Sequence, residues 1–339
     1  MSSHRAINFL IVLFLGHHCR LSMCGVNLTV GSCVIQYLEV CASNFVKFHV
    51  STSDFPDKEP YVLTKDNTTL PPWIAATNDY KLVIHGYGGG IEFKQTKEIQ
   101  REYLKRKSTN IIAVDWGRLA TLPCYPTAAV NTRQAGECIA SFLMKLTQSN
   151  RSFRTNKLHI IGFSLGAHVA AFTSNALEKL TGQKVDRITG LDPALPFFAT
   201  SRKHKKLDAS DADFVDVIHT NSGIFGKIET SGHIDFYVNG GSSQHMCNSS
   251  GNVPLCSHIM ANDYFRESIM SPSGFYGSKC SSYFQYLFGW CGNESSIVNE
   301  DELLMGEHCP HDSRGVVFVY TNYKAPFAMG RRLVNVTRE

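Results

Sequence analysis

The chain has 339 residues, 43% hydrophobic and 18% charged, with a net charge of +4. This is enough apolar material for a large buried core. The low charge content excludes a disordered or nucleic-acid-wrapping protein, and the net charge is too mild to name a partner. One basic cluster, SRKHKK at residues 201–206, reads as a solvated loop, with contact to an anionic lipid surface as the sharper alternative.

At the N-terminus, Arg5 precedes an apolar run at residues 7–15. The run is long enough for the hydrophobic region of an export signal but too short to span a bilayer. Ser22 and Cys24 are small residues at the spacing a signal peptidase accepts. The expectation is a signal peptide over 1–24, a mature domain over 25–339, extracellular location and no transmembrane anchor. Eleven cysteines without a CxxC pair read as disulfides rather than a metal site. Removing Cys19 and Cys24 leaves an odd number, which implies a free thiol, an intermolecular bond or a different cleavage point. Six sequons, at Asn27, Asn67, Asn150, Asn248, Asn293 and Asn335, predict glycosylation.

The elements then alternate. YKLVIHGY (80–87) is a short apolar run ending in glycines and predicts a buried strand. A polar helix follows over 94–107, then a strand over 110–116. Residues 127–148 carry Val130, Ala135, Ile139, Phe142, Leu143 and Leu146 at helical spacing. LHIIGFS (158–164) predicts a strand, and 165–180 a helix with Val169, Phe172, Ala176 and Leu180 on one face. KVDRITGLD and DFVDVIHT predict two more strands. HIDFYVN is another, followed by a helix over 257–270 and a late strand in RGVVFVYTN. Strand and helix alternating at this spacing predict a mostly parallel, doubly wound α/β sheet flanked by helices, in a single domain.

GxSxG, here GFSLG, is a short pattern, and its context carries more weight. It ends a predicted buried strand and opens a predicted helix, the one turn that lifts a serine hydroxyl above the sheet's carboxyl edge. Serine needs an adjacent base and preformed oxyanion donors. The amide of Leu165, just after Ser164, would be one donor, and the glycine-rich loop HGYGGG (85–90) offers the second. The same glycines match a phosphate-cradling loop weakly, since no Lys-Ser/Thr follows them. Chain order in this fold is nucleophile, acid, histidine. Seven aspartates lie between Ser164 and His258, and only Asp192 directly ends a predicted parallel strand, at the opening of GLDPALP. Seven histidines follow it: His204, His219, His233, His245, His258, His308 and His311. Spacing leaves all seven open.

With these stretches in view, the chain resembles the pancreatic lipase family, and within it the small secreted phospholipase A1 enzymes of arthropods. The matching segments are KLVIHGYGG, VDW, IIGFSLGAHVAAF, ITGLDPALPFF, DADFVDVIHT, GHIDFYVNGG, CSHIMANDYFRESI and GVVFVYTN. The resemblance implies an α/β-hydrolase with Ser164 as nucleophile, Asp192 as acid, His258 as base, and the Tyr87 and Leu165 amides as oxyanion donors. An intact set argues against the inert yolk-protein relatives. The expectation is a catalytic domain without the C-terminal β-sandwich of larger relatives. Some relatives hold structural calcium after the acid. Asp208 and Asp211 match two of its ligands, but Lys203 stands where a further carboxylate is expected and Lys206 where an arginine is expected. No metal and no organic cofactor are expected.

In the place of the family's lid, Cys247 and Cys256 would pair across the eight residues NSSGNVPL, too few for a long amphipathic lid. Cys280 and Cys291 form a second expected pair. The segment 221–232 is also short and resembles the phospholipases. The resemblance therefore implies phospholipase A1 activity at a membrane or micelle surface. A triacylglycerol lipase or galactolipase is the alternative enzyme, and a catalytically silent lipid-binding or storage protein the alternative from another class.

Overall fold

The computed structural model describes residues 26–37, 41, 45–75, 78–150, 153–291 and 302–331. The expected signal segment, with Cys19 and Cys24, and the sequons at Asn293 and Asn335 lie outside the described residues. A hairpin of β1 (Val26–Val30) and β2 (Cys33–Tyr37) leads into β3 (Lys47–Thr52), β4 (Tyr61–Leu63) and β5 (Asp79–Ile84). Then come α1 (Lys94–Leu104), β6 (Thr109–Asp115), α2 (Tyr125–Ser149), β7 (His159–Phe163), α3 (Leu165–Thr181) and β8 (Val185–Leu191). The chain continues through β9 (Ala212–His219), β10 (Ile234–Val238), α4 (Val253–Ser268), β11 (Phe275–Cys280) and α5 (Tyr283–Leu287). It closes with β12 (Leu303–Met305) and β13 (Gly315–Val319).

Eleven strands form one sheet in the order β12-β11-β13-β10-β9-β8-β7-β5-β6-β3-β4. Neighbours from β6 to β13 run parallel, and β3, β4, β11 and β12 add antiparallel margins. A parallel sheet covered on both faces needs apolar side chains on both. β7 is buried along its whole length and β6 along all but its last residue, with apolar runs at residues 160–161 and 111–114. One face packs α2 and α3 over Phe48, Trp116 and Ile160. The other packs α1 and α4 over Ile161, Phe163 and Phe236.

Two expected core residues are exposed. Val130 lies opposite the row Ala128, Ala135, Ile139 and Phe142, so α2 turns it to solvent. Leu180, in the last turn of α3, borders a surface crevice with Met144 and Phe172. The helix expected from Ser257 begins earlier. Asn252 caps it by accepting from the Leu255 amide at 3.1 Å, and Pro254 occupies its first turn. The last three residues of the expected short lid loop, Val253, Pro254 and Leu255, are therefore part of the first turn of α4.

Four disulfides close: Cys33–Cys124, Cys41–Cys138, Cys247–Cys256 and Cys280–Cys291. The first two fasten the N-terminal segment to the start and middle of α2. Cys309 is the free thiol among the described cysteines, one of the three outcomes the odd count left open. It is buried, and burial pushes its thiol up to about 12.

Candidate active site

Ser164 sits between the last residue of β7 and the first of α3 with φ +55° and ψ −118°. This conformation is strained for a side chain with Cβ and costs on the order of 1–3 kcal/mol. The neighbours make room for it. A Cβ on Gly162 would stand 2.4 Å from the Gly166 carbonyl oxygen, and one on Gly166 would stand 2.5 Å from that of Ile84. Hydrogen bonds hold the bend: the Ser164 amide donates to Leu191 at 2.9 Å, and the Ser164 carbonyl accepts from Ala167 at 3.2 Å.

The second glycine-rich turn abuts this one. A Cβ on Gly86 would fall 2.9 Å from that of Ser164. His85 organises the turn from below. Its Nδ1 donates to the Gly86 carbonyl at 2.8 Å, and its Nε2 accepts from the Trp116 amide at 3.2 Å. The Trp116 indole returns a hydrogen bond to the His85 carbonyl at 2.9 Å. These contacts suit one neutral tautomer. Gly88 is tied to Ala120 at 2.8 Å. The turn thus brings Tyr87 beside Ser164, and Leu165 opens α3, whose N-terminal end carries the positive pole of the helix.

Asp192 follows β8, fully buried, with φ +41°. Its Oδ1 accepts from the amides of Thr220 at 2.9 Å and Asn221 at 3.1 Å, just beyond β9. Its Oδ2 accepts from His258 Nδ1 at 2.5 Å. The imidazole reaches it from the second turn of α4, flanked by Phe163 at 4.7 Å and Phe225 at 5.6 Å between ring centres. With Nδ1 donating, Nε2 is left as the acceptor. Gly226 is the unforeseen part: a Cβ there would meet the Asp192 carboxylate at 2.3 Å.

Ser164 and His258 line the same cavity, about 540 Å³, whose other walls are mainly apolar, among them Phe93, Phe163, Phe225, Leu255 and Ile259. Tyr87 and Tyr125 face each other across its edge with ring centres 5.0 Å apart. The Tyr125 hydroxyl donates to the Pro196 carbonyl at 3.1 Å, joining α2 to the loop after Asp192. Cys247–Cys256 lies at the lip, where Leu255 is 45% exposed.

The other histidines left open by spacing go elsewhere. His219 lies buried between Asp235 and the Lys227 carbonyl. His233 accepts from the Val215 amide, His245 lies tilted against Tyr323, His308 reaches the Ile269 carbonyl, and His311 stacks on Phe214. His204 is exposed. Among the remaining aspartates, Asp216 is locked to Arg187 at 2.8 Å. Asp208 and Asp211 form a reciprocal cap on a short 3-10 turn, and Asn175 also donates to Asp211 at 2.7 Å. Burial raises the Asp211 carboxyl to about 7, while Lys203 is exposed.

A parallel sheet with a strained serine between strand and helix, and an aspartate and histidine joined at the same carboxyl edge, defines the α/β-hydrolase class. The lipase family model matches residues 39–327, and the chain belongs to that family. It is 31% identical to pancreatic triacylglycerol lipase of Equus caballus, over 86% of this chain and 67% of that protein. It is 37% identical to pancreatic lipase-related protein 2 of Sus scrofa, over 61% of this chain and 47% of that one. The chain spans about half to two thirds of the length of these relatives. It is also similar to a solved α/β hydrolase enzyme from a Medee basin deep-sea metagenome library, with TM-score 0.34 and 12% identity over 61% of this chain and 73% of that one.

Proposed function

We propose that this chain is an extracellular serine hydrolase of lipid acyl esters, with Ser164 as nucleophile, His258 as general base and Asp192 as its orienting carboxylate. The observation that carries the reading is the 2.5 Å His258–Asp192 hydrogen bond beside the cavity that both His258 and Ser164 line. His258 Nε2 takes the Ser164 proton as Oγ attacks the acyl carbonyl, and Asp192 stabilises the imidazolium. The Tyr87 and Leu165 amides receive the oxyanion. Among the described residues neither amide donates to a protein acceptor. The imidazolium then protonates the leaving alkoxide, and water, deprotonated by His258, releases the fatty acid from the acyl-serine. Four disulfides and exposed sequons at Asn67 and Asn248 support an extracellular setting.

The substrate we favour is a phospholipid cleaved at its sn-1 ester. Support comes from the lip: the Cys247–Cys256 span is short and ends in the first turn of α4, which leaves the cleft without a long lid. A bulky head group then has room beside the serine. Neutral lipids are the second reading, favoured by the lining of the cleft, which contains no Lys or Arg to meet a phosphate, and by relatives named as triacylglycerol lipases. Hydrolysis of a phosphatidylcholine with two different acyl chains decides between them. Release of the sn-1 chain, with slow turnover of emulsified triglyceride, is the expected result. Release of the sn-2 chain only, or of neither, overturns the phospholipase A1 reading.

A further inference from the structure

The loop at 194–207 does more than connect β8 to β9. Both of its ends are held by one buried ring. His168, in α3, donates from Nε2 to the Ala194 carbonyl at 2.9 Å and accepts at Nδ1 from the Leu207 amide at 3.0 Å. Phe198 stacks on the same imidazole at 3.7 Å. One donor and one acceptor nitrogen require the neutral tautomer, and burial keeps it neutral by lowering the pKa to about 3. A loop closed at its base by a side chain is a compact Ω-type display rather than a slack connection.

Its display is unusual. Phe197 is 69% exposed although its backbone is held at φ +69°, a conformation an aromatic residue rarely adopts. The strain is not offset by burial within this chain. The ring leans on Tyr125 at 6.1 Å, and Tyr125 lines the serine cleft, so Phe197 stands at the cleft's rim. Leu122, Phe225 and Leu255, all exposed, line that same mouth. A few residues after Phe197, Arg202, Lys203 and Lys205 are exposed as well. Arg133 of α2 is fastened beside them by donating to the His204 carbonyl at 3.0 Å. Glu137 shares that crevice, whereas Asp208 and Asp211 are turned inward on their cap.

We propose that the 194–207 loop docks the protein on an anionic phospholipid surface, Phe197 entering the acyl region beside the cleft and Arg202, Lys203 and Lys205 meeting the head groups. An apolar tip backed by cations is complementary to a bilayer, which offers hydrocarbon below a negatively charged plane. Continuity with the cleft mouth supports this occupant, because a lipid lifted from that surface has only the rim to cross. This inference rests on the reading of the cleft as a lipid-ester site, but docking is measured without catalysis.

The test is sedimentation of the full chain with vesicles of phosphatidylcholine, with or without added phosphatidylglycerol. Wild type is compared with Phe197→Ser and with Lys203→Glu/Lys205→Glu, alongside turnover of a soluble short-chain ester. Phosphatidylglycerol is expected to raise wild-type affinity. The double reversal should remove that gain, about five-fold or more per cation at low salt. Phe197→Ser should weaken binding about ten-fold on both compositions. Soluble-ester turnover should be unchanged in both variants, because neither touches the serine, its partners or the oxyanion amides. Wild-type binding indifferent to phosphatidylglycerol and salt overturns the proposal. So does undiminished binding by both variants, loss of soluble-ester turnover together with binding, or saturation by a sulfated oligosaccharide with no affinity for vesicles. If the vesicle results hold while no ester is cleaved, docking stands and the hydrolase reading fails.

Discussion

At the scale of single residues, the site depends as much on absent atoms as on present ones. Gly226 contributes nothing chemical, yet any side chain there would occupy the space of the Asp192 carboxylate. Gly226→Ala should therefore keep the fold and lower kcat at least a hundred-fold, since small displacements of catalytic groups are costly. Wild-type kcat in this variant, measured on a soluble ester, would show that Asp192 tolerates the push. The carboxylate has two tasks, and Asp192→Asn leaves one of them intact. The asparagine oxygen can still accept from Thr220 and Asn221, but its NH₂ then faces His258 Nδ1 and selects the wrong tautomer. A loss on the order of 10⁴ in kcat with little change in thermal midpoint is expected. Ser164→Ala should abolish labelling by a fluorophosphonate probe, which the wild type is expected to accept. An unlabelled wild type would favour the silent lipid-binding protein.

At the scale of elements, Ser164 and Asp192 follow adjacent strand ends while His258 comes from helix α4, and short covalent or hydrogen-bonded clasps set the spacing. Cys247–Cys256 pins the first turn of α4, the helix that delivers His258. Replacing both cysteines with serine should cost about 2–3 kcal/mol, the range for a short closed loop, measured by denaturant unfolding. The variant should also raise KM more than it lowers kcat, because Leu255 at the cleft lip moves before His258 does. Equal stability of the two forms would mean that Asn252 and its cap suffice to hold the turn. Glu307 plays a similar part at the opposite end of the sheet. It takes hydrogen bonds from Lys81 at 2.8 Å, Arg106 at 2.8 Å and Tyr103 at 2.5 Å, which fastens the β12–β13 connection to β5 and α1.

At the scale of the whole molecule, buried histidines tie stability to pH. The pKa of His168 falls from 6.5 to about 3 in the fold, with burial as the main cause, and His159 shifts in the same direction for the same reason. The unfolded chain therefore binds protons that the native chain refuses. The contribution is fully present above about pH 6.5 and is lost progressively as pH falls towards 3. Denaturant-unfolding stability should decline over that window by a few kcal/mol. His168→Gln, whatever its absolute stability, should show a shallower decline. An unchanged slope in that variant would mean that the ring is already charged in the native state.

Much of this was legible in the chain, for identifiable reasons. A parallel strand covered on both faces carries a short apolar run, so β6 and β7 announce themselves through residues 111–114 and 160–161. The serine bend is confined to a few residues and leaves a local mark in GFSLG. Among the described cysteines the unpaired one is buried Cys309, which the cysteine count alone did not single out. Spacing left seven histidines open, because the partner of Asp192 is set by how α4 lies against the sheet and not by any neighbouring residue. The same holds for Gly226, for the amides of Thr220 and Asn221, and for His168 clasping a loop whose ends are far from it in sequence. Val130 was misplaced because one apolar residue does not define a helix face. Local sequence thus determined the seven parallel strands, the bend and the chemical types present, since those depend on neighbouring residues, but not the hairpin and antiparallel margins β1–β4, β11 and β12. Only the tertiary structure decided which groups meet, because hydrogen bonds between distant strand ends are selected by the packing of the whole sheet.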